Sequence, residues 1–384
     1  MLCEPERARC RSIVRLGRGL RHDATAPLEP GVWPHVARRI GETPAPTFAE
    51  AERGALIASL WREAGLEPET DAVGNVLAAL PGGQGPRVLV AAHLDTVFAA
   101  DTDLRVRAEG ARLLAPGIGD NSASLALLCA YAERPTDAPR PRLTLAATVG
   151  EEGLGDLYGM RALMEARARD FDLMVALDGH LGTVVDRAVG SKRFEIMFRA
   201  LGGHSWGDYP SPSAVHALGD AIHALTRTPV PREPRSSLNV GQVAGGSSVN
   251  AIAERANFNL DLRSLERETL EGLEREALRR VRRVARQHGV ELDVRPVGDR
   301  PVAPSANEAL VRAARRALES AGVQARTAAS STDANAAMAA GLPAICFGVY
   351  RGGDAHRASE WLEPASLLEG YRAFEALLLE LSAL

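Results

Sequence analysis

The stretch Arg87-Val88-Leu89-Val90-Ala91-Ala92-His93-Leu94-Asp95-Thr96-Val97 predicts a buried strand that ends at a histidine. A continuous run of small and β-branched apolar residues is typical of a parallel strand covered on both faces. Open α/β sheets bind ligands at the carboxyl ends of their strands, where this sequence becomes polar. His93 could offer an imidazole to a metal, and Asp95, on the same face of an extended chain, could accept the other ring N–H. Taken alone, His-x-Asp is more often an ordinary polar strand end.

The composition is that of a globular protein too long for one ordinary core. The chain has 384 residues, of which 46% are hydrophobic and 24% charged, and its formal net charge is −4. We therefore expect two domains. The charge balance offers no basic field for nucleic acid, and no apolar run approaches the ~20 residues that a membrane helix needs.

Cysteine usage and the first residues of the sequence predict a cytoplasmic protein. The four cysteines, Cys3, Cys10, Cys129 and Cys346, form no CxxC pair. Their spacing argues against a disulfide framework and against a thiolate zinc site. Residues 1–7 lack the apolar core of a secretory signal. We expect a protein of the reducing cytosol that binds neither nucleic acid nor a membrane.

The apolar runs divide the chain into two parts. Further buried strands are predicted at residues 75–80, 143–149, 173–177 and 343–348. Helices are predicted at residues 7–20, 47–64, 123–131, 159–169, 307–320, 334–340 and 365–381. The helix at 47–64 would begin with a capping box formed by Thr47 and Glu50.

Residues 193–296 show a different pattern, in which half-exposed strands alternate with two amphipathic helices. This pattern is typical of a compact α+β unit. The sequence therefore predicts an α/β domain with a central, mostly parallel sheet, formed by residues 1–187 and 298–384. A smaller α+β domain at residues 188–297 would interrupt it.

Polar side chains collect where the predicted strands of the larger domain end. They are His93, Asp95, Asp120, Glu151, Glu152, Asp178 and, near the C-terminus, His356. Carboxylates and imidazoles in this combination suit a pair of divalent ions of borderline softness, such as Zn²⁺. Two cations would also explain the density of carboxylates, because like charges so close together would otherwise keep several of them protonated.

The adjacent pair Glu151-Glu152 could divide two tasks. Neighbouring side chains after a strand point in different directions, so one could bind a metal while the other faces the substrate. A carboxylate that is kept off the metal could act as the general base of a hydrolase. The alternative is that both glutamates belong to a solvated turn.

Five motifs, in order along the chain, resemble those of the metallopeptidase M20 family. They are His93-Leu94-Asp95, Gly119-Asp120-Asn121, Glu151-Glu152-Gly153, Asp178-Gly179, and His356 followed by Glu360. This family includes di- and tripeptidases, glutamate carboxypeptidases, aminoacylases and the acetylornithine and succinyl-diaminopimelate deacylases. The resemblance implies a zinc-peptidase-like catalytic domain and a ferredoxin-like lid domain through which two chains form a homodimer.

The resemblance also implies a site with two divalent metal ions, Zn²⁺ in the first place and Mn²⁺ or Co²⁺ as alternatives. His93 and Asp178 would bind one ion. Glu152 and His356 would bind the other, and Asp120 would bridge the two.

Two further site residues and one backbone feature follow from the same resemblance. Asp95 would orient the metal-binding histidine, and Glu151 would be the general acid/base. The peptide bond between Asp120 and Asn121 would be cis. Many family members carry aspartate where this chain has Asn121.

Four residues outside these motifs could contact the substrate, and three of them, His204, Asn250 and Arg263, match positions of the family. His204 would reach the partner subunit's active site and stabilise the oxyanion there, although a histidine after two glycines is otherwise often just exposed. Asn250 and Arg263 would hold the substrate's carbonyl and carboxylate, and Arg263 could equally form a surface salt bridge. Thr332 could bind an anion, cap the next helix, or do both.

The function expected from these residues is metal-dependent hydrolysis of a peptide bond in a small peptide of the di- or tripeptide type. Hydrolysis of an N-acyl amino acid is the alternative within the same family. A non-catalytic binding protein on the same fold would be favoured by loss of Glu151 or of a metal ligand, and all of these residues are present.

Overall fold

The computed structural model describes residues 32–135, 138–303 and 308–384. The α-helices of this part are α1 (Val32–Gly41), α2 (Ala51–Glu63), α3 (Ser122–Glu133), α4 (Tyr158–Arg167), α5 (Ala214–Thr226), α6 (Arg267–His288), α7 (Glu308–Ser320), α8 (Ala334–Ala339) and α9 (Ser366–Leu381). The helix expected at residues 7–20 lies outside the described residues.

The strands are β1 (Glu69–Thr70), β2 (Val76–Leu80), β3 (Arg87–His93), β4 (Arg107–Glu109), β5 (Arg112–Leu114), β6 (Arg142–Thr148), β7 (Leu173–Leu177), β8 (Thr183–Ala188), β9 (Gly190–Arg199), β10 (Gly203–His204), β11 (Ser236–Gly245), β12 (Ala251–Ile252), β13 (Arg255–Ser264), β14 (Glu291–Arg300), β15 (Arg326–Ser330), β16 (Ala344–Phe347), β17 (Arg351–Gly353) and β18 (Trp361–Glu363). Within the described ranges, the strands and helices expected from the apolar runs are present, with ends shifted by at most four residues. No helix in the described ranges is long and apolar enough to cross a membrane.

The largest sheet has eight strands in the order β1-β2-β6-β3-β7-β16-β8-β15. Its centre is parallel, because β3 pairs in parallel with β6 and β7, and β16 pairs in parallel with β7. The pairs β1–β2, β2–β6 and β16–β8 are antiparallel. The fold is therefore α/β with a mixed sheet whose central strands end at a common edge.

Strand β3 lies in the middle of this sheet and is covered on both faces, as its sequence predicts. Val88 and Val90 belong to one buried apolar cluster, while Leu89 and Ala91 belong to another on the opposite side. Alternation of side chains between two buried faces explains the unbroken apolar run. The same packing fixes the position at which His93 leaves the sheet.

A second sheet has the antiparallel order β11-β13-β9-β14. Together with α5 and α6 its strands follow the chain order βαββαβ, which is the ferredoxin-like arrangement. Phe194, Ile196 and Phe198 of β9 pack with apolar residues of both helices in a core of their own. Most residues of the edge strand β11 are exposed.

Strands β8 and β15 were not predicted by the sequence. They form one end of the large sheet, where β15 pairs only with β8 in the described ranges. Their sequences, Thr-Val-Val-Asp-Arg-Ala and Arg-Thr-Ala-Ala-Ser, contain no continuous apolar run. β15 is the edge strand and β8 is its inner neighbour, and strands with a partly exposed face do not need such a run.

The predicted capping box of α2 is wrong. The helix begins at Ala51, and neither Thr47 nor Glu50 caps it with a side chain. Oγ1 of Thr47 instead donates a 2.8 Å hydrogen bond to Oδ2 of Asp95. Oε1 of Glu50 accepts the N–H groups of Phe48 and Gly150, each at 2.9 Å. Tertiary partners at the strand ends have replaced the local cap.

Candidate metal centre

The carboxyl ends of the central strands bring the predicted polar residues together. His93 is the last residue of β3 and pairs in register with Thr148, the last residue of β6. Glu151 and Glu152 follow β6, and Asp178 follows β7 directly. Parallel strands that end at one edge therefore supply most of the site, as expected of an α/β sheet.

One group of ligand atoms consists of His93, Asp120 and Asp178, all within 4.8 Å of one another. Nε2 of His93 lies 3.0 Å from Oδ1 of Asp120. Nδ1 of the same ring lies 3.0 Å from the backbone carbonyl oxygen of Asp95, to which it can donate its proton. This hydrogen bond selects the tautomer that leaves Nε2 free to bind a metal.

A second group consists of Asp120, Glu152 and His356, again with ligand atoms within 4.8 Å of one another. Nε2 of His356 lies 3.1 Å from Oδ2 of Asp120 and 2.8 Å from Oε1 of Glu152. Asp120 thus presents one carboxylate oxygen to each histidine. The two groups share this residue, which is the geometry that a bridging carboxylate requires.

Asp95 is completely buried and supports the loop that carries the two glutamates. Its Oδ1 accepts the N–H of Glu151 and its Oδ2 accepts the N–H of Glu152, each at 2.9 Å. Oδ2 also accepts the hydroxyl of Thr47. The carboxylate of Asp95 is 3.5 Å from Nδ1 of His93, so the histidine is oriented chiefly by the backbone carbonyl of Asp95.

Glu360 holds the loop that carries Asp120. Its Oε1 accepts the N–H groups of Gly119 and Asp120 at 2.9 and 2.8 Å, and its Oε2 accepts the N–H of Gly117 at 2.7 Å. The bond between Asp120 and Asn121 is cis, which confirms the expectation. Three N–H donors on one buried carboxylate fix the position of Asp120.

Glu151 has a partner that the sequence did not predict. Nη1 of Arg300 lies 3.1 Å from Oε1 of Glu151, and Nη2 donates to the backbone oxygen of Glu151. Both side chains are buried, with 4% and 6% of their surface exposed. A ligand atom of Glu151 also lies within 4.8 Å of ligand atoms of His93 and Glu152, so this carboxylate borders the first group.

Negative charge is packed at high density around Asp120. Burial and the neighbouring Asp120 raise the pKa of Asp178 to about 7. Burial raises the pKa of Glu151 well above its usual range, and Arg300 opposes that shift. Burial also raises the pKa of Glu360 to about 7, against its backbone hydrogen bonds.

The two histidines respond in the opposite sense to the same carboxylates. Hydrogen bonds to Asp120 and Glu152 raise the pKa of His356 to about 11. Burial opposes protonation of His93, but hydrogen bonds to Asp120 and Asp95 raise its pKa well above the usual range. A site that attracts protons so strongly also suits bound cations. The donor set and its grouping therefore fit divalent metal ions of the kind that imidazole and carboxylate bind together.

His204 is the last residue of β10, and Asn250 directly precedes β12, with which β10 forms a small two-stranded ribbon. Both are exposed. Nδ1 of His204 accepts the N–H groups of Trp206 and Gly207, and the backbone oxygen of Asn250 accepts the N–H of Ser205. Within the described ranges, neither side chain forms a hydrogen bond with the metal-binding groups of its own chain.

Arg263 and Thr332 occupy different surroundings. Nε of Arg263 donates to Oδ2 of Asp261 at 2.8 Å, and Oδ1 of Asp261 accepts from Nε of Arg193 at 2.9 Å. Arg193 in turn donates to the backbone oxygen of Gly153 in the loop after Glu152. Thr332 is buried, and its Oγ1 accepts the N–H of Ala334, the first residue of α8, at 3.3 Å, whereas the side chain of Asp333 at the N-cap position does not cap the helix.

Sequence reasoning missed several residues that support the site. These are Thr47, Glu50, Arg300, and Asp333, whose Oδ2 accepts the hydroxyl of Thr148 at 2.6 Å. Each bonds to a residue far away in the chain, and none stands in a motif that reports this partner. Glu360 was noted after His356, but its three backbone contacts were not foreseen.

Comparison with known proteins places this arrangement in a family. The model of peptidase family M20/M25/M40 matches residues 89–380. No curated protein sequence matches the chain.

Several solved structures share the fold. Aminopeptidase PepT from Bacillus cereus is 21% identical, with 92% of this chain and 99% of that chain covered and a TM-score of 0.72. A tripeptidase from Staphylococcus aureus is 18% identical over 94% and 100% of the two chains, with a TM-score of 0.76. YxeP from Bacillus subtilis, described as a dinuclear metal-binding peptidase, is 17% identical over 90% and 96%, with a TM-score of 0.62. The chain belongs to peptidase family M20/M25/M40 and is a hydrolase of that family.

Proposed function

We propose that this hydrolase uses two divalent metal ions, Zn²⁺ in the first place, to cleave the peptide bond of a small peptide of the di- or tripeptide type. The observation that carries the proposal is the sharing of Asp120 between two three-residue groups of ligand atoms. His93 and Asp178 complete the site for one ion, and Glu152 and His356 complete the site for the other. Manganese or cobalt ions would suit the same nitrogen and oxygen donors.

Bound divalent ions would lower the pKa of water and polarise the scissile carbonyl. Glu151 would take the proton from the attacking water and later give it to the leaving amine. Its buried carboxylate, which has a raised pKa, suits a group that must both accept and donate a proton. The hydrogen bonds that the Asp95 carboxylate accepts from the backbone N–H groups of Glu151 and Glu152 would hold the base and the ligand in their separate positions.

The second sheet would act as the lid, at residues 188–297, of a catalytic domain made of residues 1–187 and 298–384, and the last residues of β14, 298–300, would form the junction between the two. We propose a homodimer formed through the lid, in which His204 of the partner subunit would stabilise the oxyanion. The exposure of His204 and Asn250, away from the metal-binding groups of their own chain, supports such a role.

Arg263 would bind the substrate's carboxylate, Asn250 its carbonyl, and Thr332 would line the same pocket. The partly exposed guanidinium of Arg263 is already oriented by Asp261, which leaves N–H groups for an anion. The peptide substrate is favoured by the described activities of the aminopeptidase and the tripeptidase that share the fold. A cytoplasmic location accompanies this proposal.

A substrate panel tests the function directly. Zinc- or manganese-loaded protein would be incubated with dipeptides, tripeptides and N-acetyl amino acids, and the released amine would be measured. We expect metal-dependent cleavage of peptides with a free N-terminus. Cleavage confined to the N-acylated compounds would make the protein a deacylase and would contradict the peptide assignment.

A further inference from the structure

Arg300 is a buried cation that the proposed reaction does not use. It is the last residue of β14, and only 4% of its surface is exposed. Its Nη1 contacts Oε1 of Glu151 at 3.1 Å and Oγ of Ser331 at 3.3 Å, while Nη2 donates to the backbone oxygen of Glu151. One guanidinium therefore binds both the side chain and the main chain of the proposed general base.

This arginine comes from the second sheet rather than from the sheet that carries the metal-binding groups. In β14, Arg300 pairs with Ser191 at the start of β9, so it lies where the second sheet joins the rest of the chain. Glu151 belongs to the loop after β6 of the large sheet. The contact between them therefore links the site to this end of the second sheet, where the end of β14 pairs with the start of β9 and which we call the root of the sheet.

Two further contacts join the same root to the same loop. Asp156 accepts the backbone N–H of Asp299 at 3.0 Å, and Arg193 of β9 donates to the backbone oxygen of Gly153. Residues 151–156 are thus held at three points by residues of β9 and β14. Among these contacts, only the one from Arg300 reaches the Glu151 carboxylate.

Stability alone is a weak reason for such an arginine. Burial of an ion pair costs desolvation energy that the Coulomb attraction often only balances. Nε of Arg300 also makes no hydrogen bond among the described residues, and it lies 4.0 Å from Oδ1 of Asp156. The guanidinium is oriented toward Glu151 even though one of its own donors stays unsatisfied.

We propose that Arg300 is a positioning residue, which holds the Glu151 carboxylate where it can act as the general acid/base. Because Arg300 belongs to the second sheet, the position of Glu151 then depends on the contact between that sheet and residues 151–156. The inference rests on the proposed function, in which Glu151 is the general acid/base. Without the guanidinium, the Glu151 side chain can rotate away, while the ligand residues keep their own contacts. Movement of the second sheet away from residues 151–156 would have the same effect on Glu151.

The test compares Arg300→Met and Arg300→Lys with Arg161→Met. Arg161 is the matched control, because it also contacts the root of the second sheet, through Asp156 and the backbone oxygen of Asp299, but does not touch Glu151. For each variant, kcat, KM, bound metal per chain and Tm would be measured on the metal-loaded full chain. Arg300→Met would also be combined with Glu151→Gln.

We expect Arg300→Met to lower kcat at least about tenfold, with KM changed less than about threefold and full metal content. The lysine ammonium can donate to the Glu151 carboxylate but lacks the two N–H donors of a planar guanidinium. Arg300→Lys should therefore show a smaller loss of kcat than Arg300→Met. Arg161→Met should keep kcat within about threefold of the unchanged protein. In the Glu151→Gln background, Arg300→Met should change the residual kcat less than about threefold, because the residue through which it acts is already altered.

Three results would overturn the inference. The first is an unchanged kcat in Arg300→Met. The second is an equal loss of kcat from Arg300→Met in the unchanged protein and in the Glu151→Gln background. The third is a loss of kcat that is explained by lost metal or that Arg161→Met shows as well. If the methionine variant does not fold, Arg300→Gln takes its place in the same comparison.

A second measurement does not depend on turnover. The amides of Gly150, Glu151 and Glu152 donate to the buried carboxylates of Glu50 and Asp95, so their hydrogen exchange reports opening of this loop. We expect Arg300→Met to speed that exchange at least about tenfold, and unchanged exchange would overturn the inference. If the unchanged protein hydrolyses no substrate, the proposed function fails, and this exchange measurement still decides whether Arg300 holds the loop.

Discussion

Nε2 of His356 lies 2.8 Å from Oε1 of Glu152, although 204 residues separate them in the chain. His356 follows β17 near the end of the chain, and Glu152 follows β6 of the large sheet. Half of the His356 side chain is exposed, whereas the side chain of Glu152 is 9% exposed. A cation bound here would therefore connect a late surface loop to the buried end of the central sheet.

Asp120 should matter more for metal content than any other proposed ligand, because it belongs to both groups. We predict that Asp120→Ala loses both ions, whereas His356→Ala keeps about one ion per chain, since the ligands of the His93 ion remain. Metal per chain can be measured by elemental analysis after dialysis. Retention of both ions by Asp120→Ala would contradict the bridging role.

Glu151 should be dispensable for metal binding and necessary for turnover. Glutamine keeps the size of the side chain but cannot take a proton, so Glu151→Gln should lower kcat by about 10²- to 10⁴-fold. Its metal content should equal that of the unchanged protein. A variant that stays active, or one that loses an ion, would show that Glu151 is not the general base.

His204 should act across the proposed dimer. His204→Ala is expected to lower kcat without a change in metal content, because in the described ranges its side chain bonds only to the backbone of Trp206 and Gly207 and to no metal-binding group.

A mixing experiment tests whether His204 works in the partner's site. In a mixed dimer, the subunit with His204→Ala keeps its own Glu151 and receives His204 from a partner that carries Glu151→Gln. Random re-association of the two inactive variants should therefore restore about a quarter of the original activity for a two-fold symmetric dimer. If no activity returns although mixed dimers form, the histidine does not act in trans.

The metal-free protein should lose stability as pH rises. Asp178 and Glu360 both have pKa values raised to about 7 in the folded chain, mainly by burial. Between their unfolded pKa values near 4 and about pH 7, the folded state binds protons that the unfolded state has released, so the free energy of unfolding falls with pH. Bound metal requires deprotonated ligands, so its stabilisation should grow over the same range.

Thermal melting tests whether the stability of the metal-free protein falls as pH rises. Chelator-treated protein should have a higher Tm at about pH 5 than at about pH 8, and the increase in Tm on adding Zn²⁺ should be larger at the higher pH. Asp178→Asn should weaken the pH dependence of the Tm of the chelator-treated protein, since it removes one of the two carboxyl groups that have a raised pKa. A Tm of metal-free protein that rises between these two pH values would contradict the prediction.

The sequence predicted the site residues that stand at or after the end of an apolar strand. His93 is the last residue of β3, Glu151 lies in the loop after β6 and Asp178 directly follows β7, so a parallel sheet brings them together without any long-range information. His356 and Asp120 lie in loops rather than at the end of a predicted strand, and only the resemblance to a known family indicated which ion each would bind. The structure brings both to the same edge of the sheet.

The supporting residues could not be predicted because their partners are distant in the chain. Thr47 and Glu50 fit the local pattern of a capping box, yet their side chains are bound to Asp95 and to the loop after β6. Buried carboxylates and N–H groups at a strand end compete with a local cap, and here they win because they would otherwise lack partners. Arg300, at the end of a half-exposed strand, gave no signal that its partner would be Glu151.

The most direct test of the central claim is the hydrolysis of dipeptides and tripeptides by three preparations of the full chain. These are the zinc-loaded protein, the same protein after chelation, and zinc-loaded Glu151→Gln. The account predicts turnover in the first alone, together with about two ions per chain in both zinc-loaded samples. Turnover that survives chelation, or equal turnover with glutamine at position 151, would contradict it.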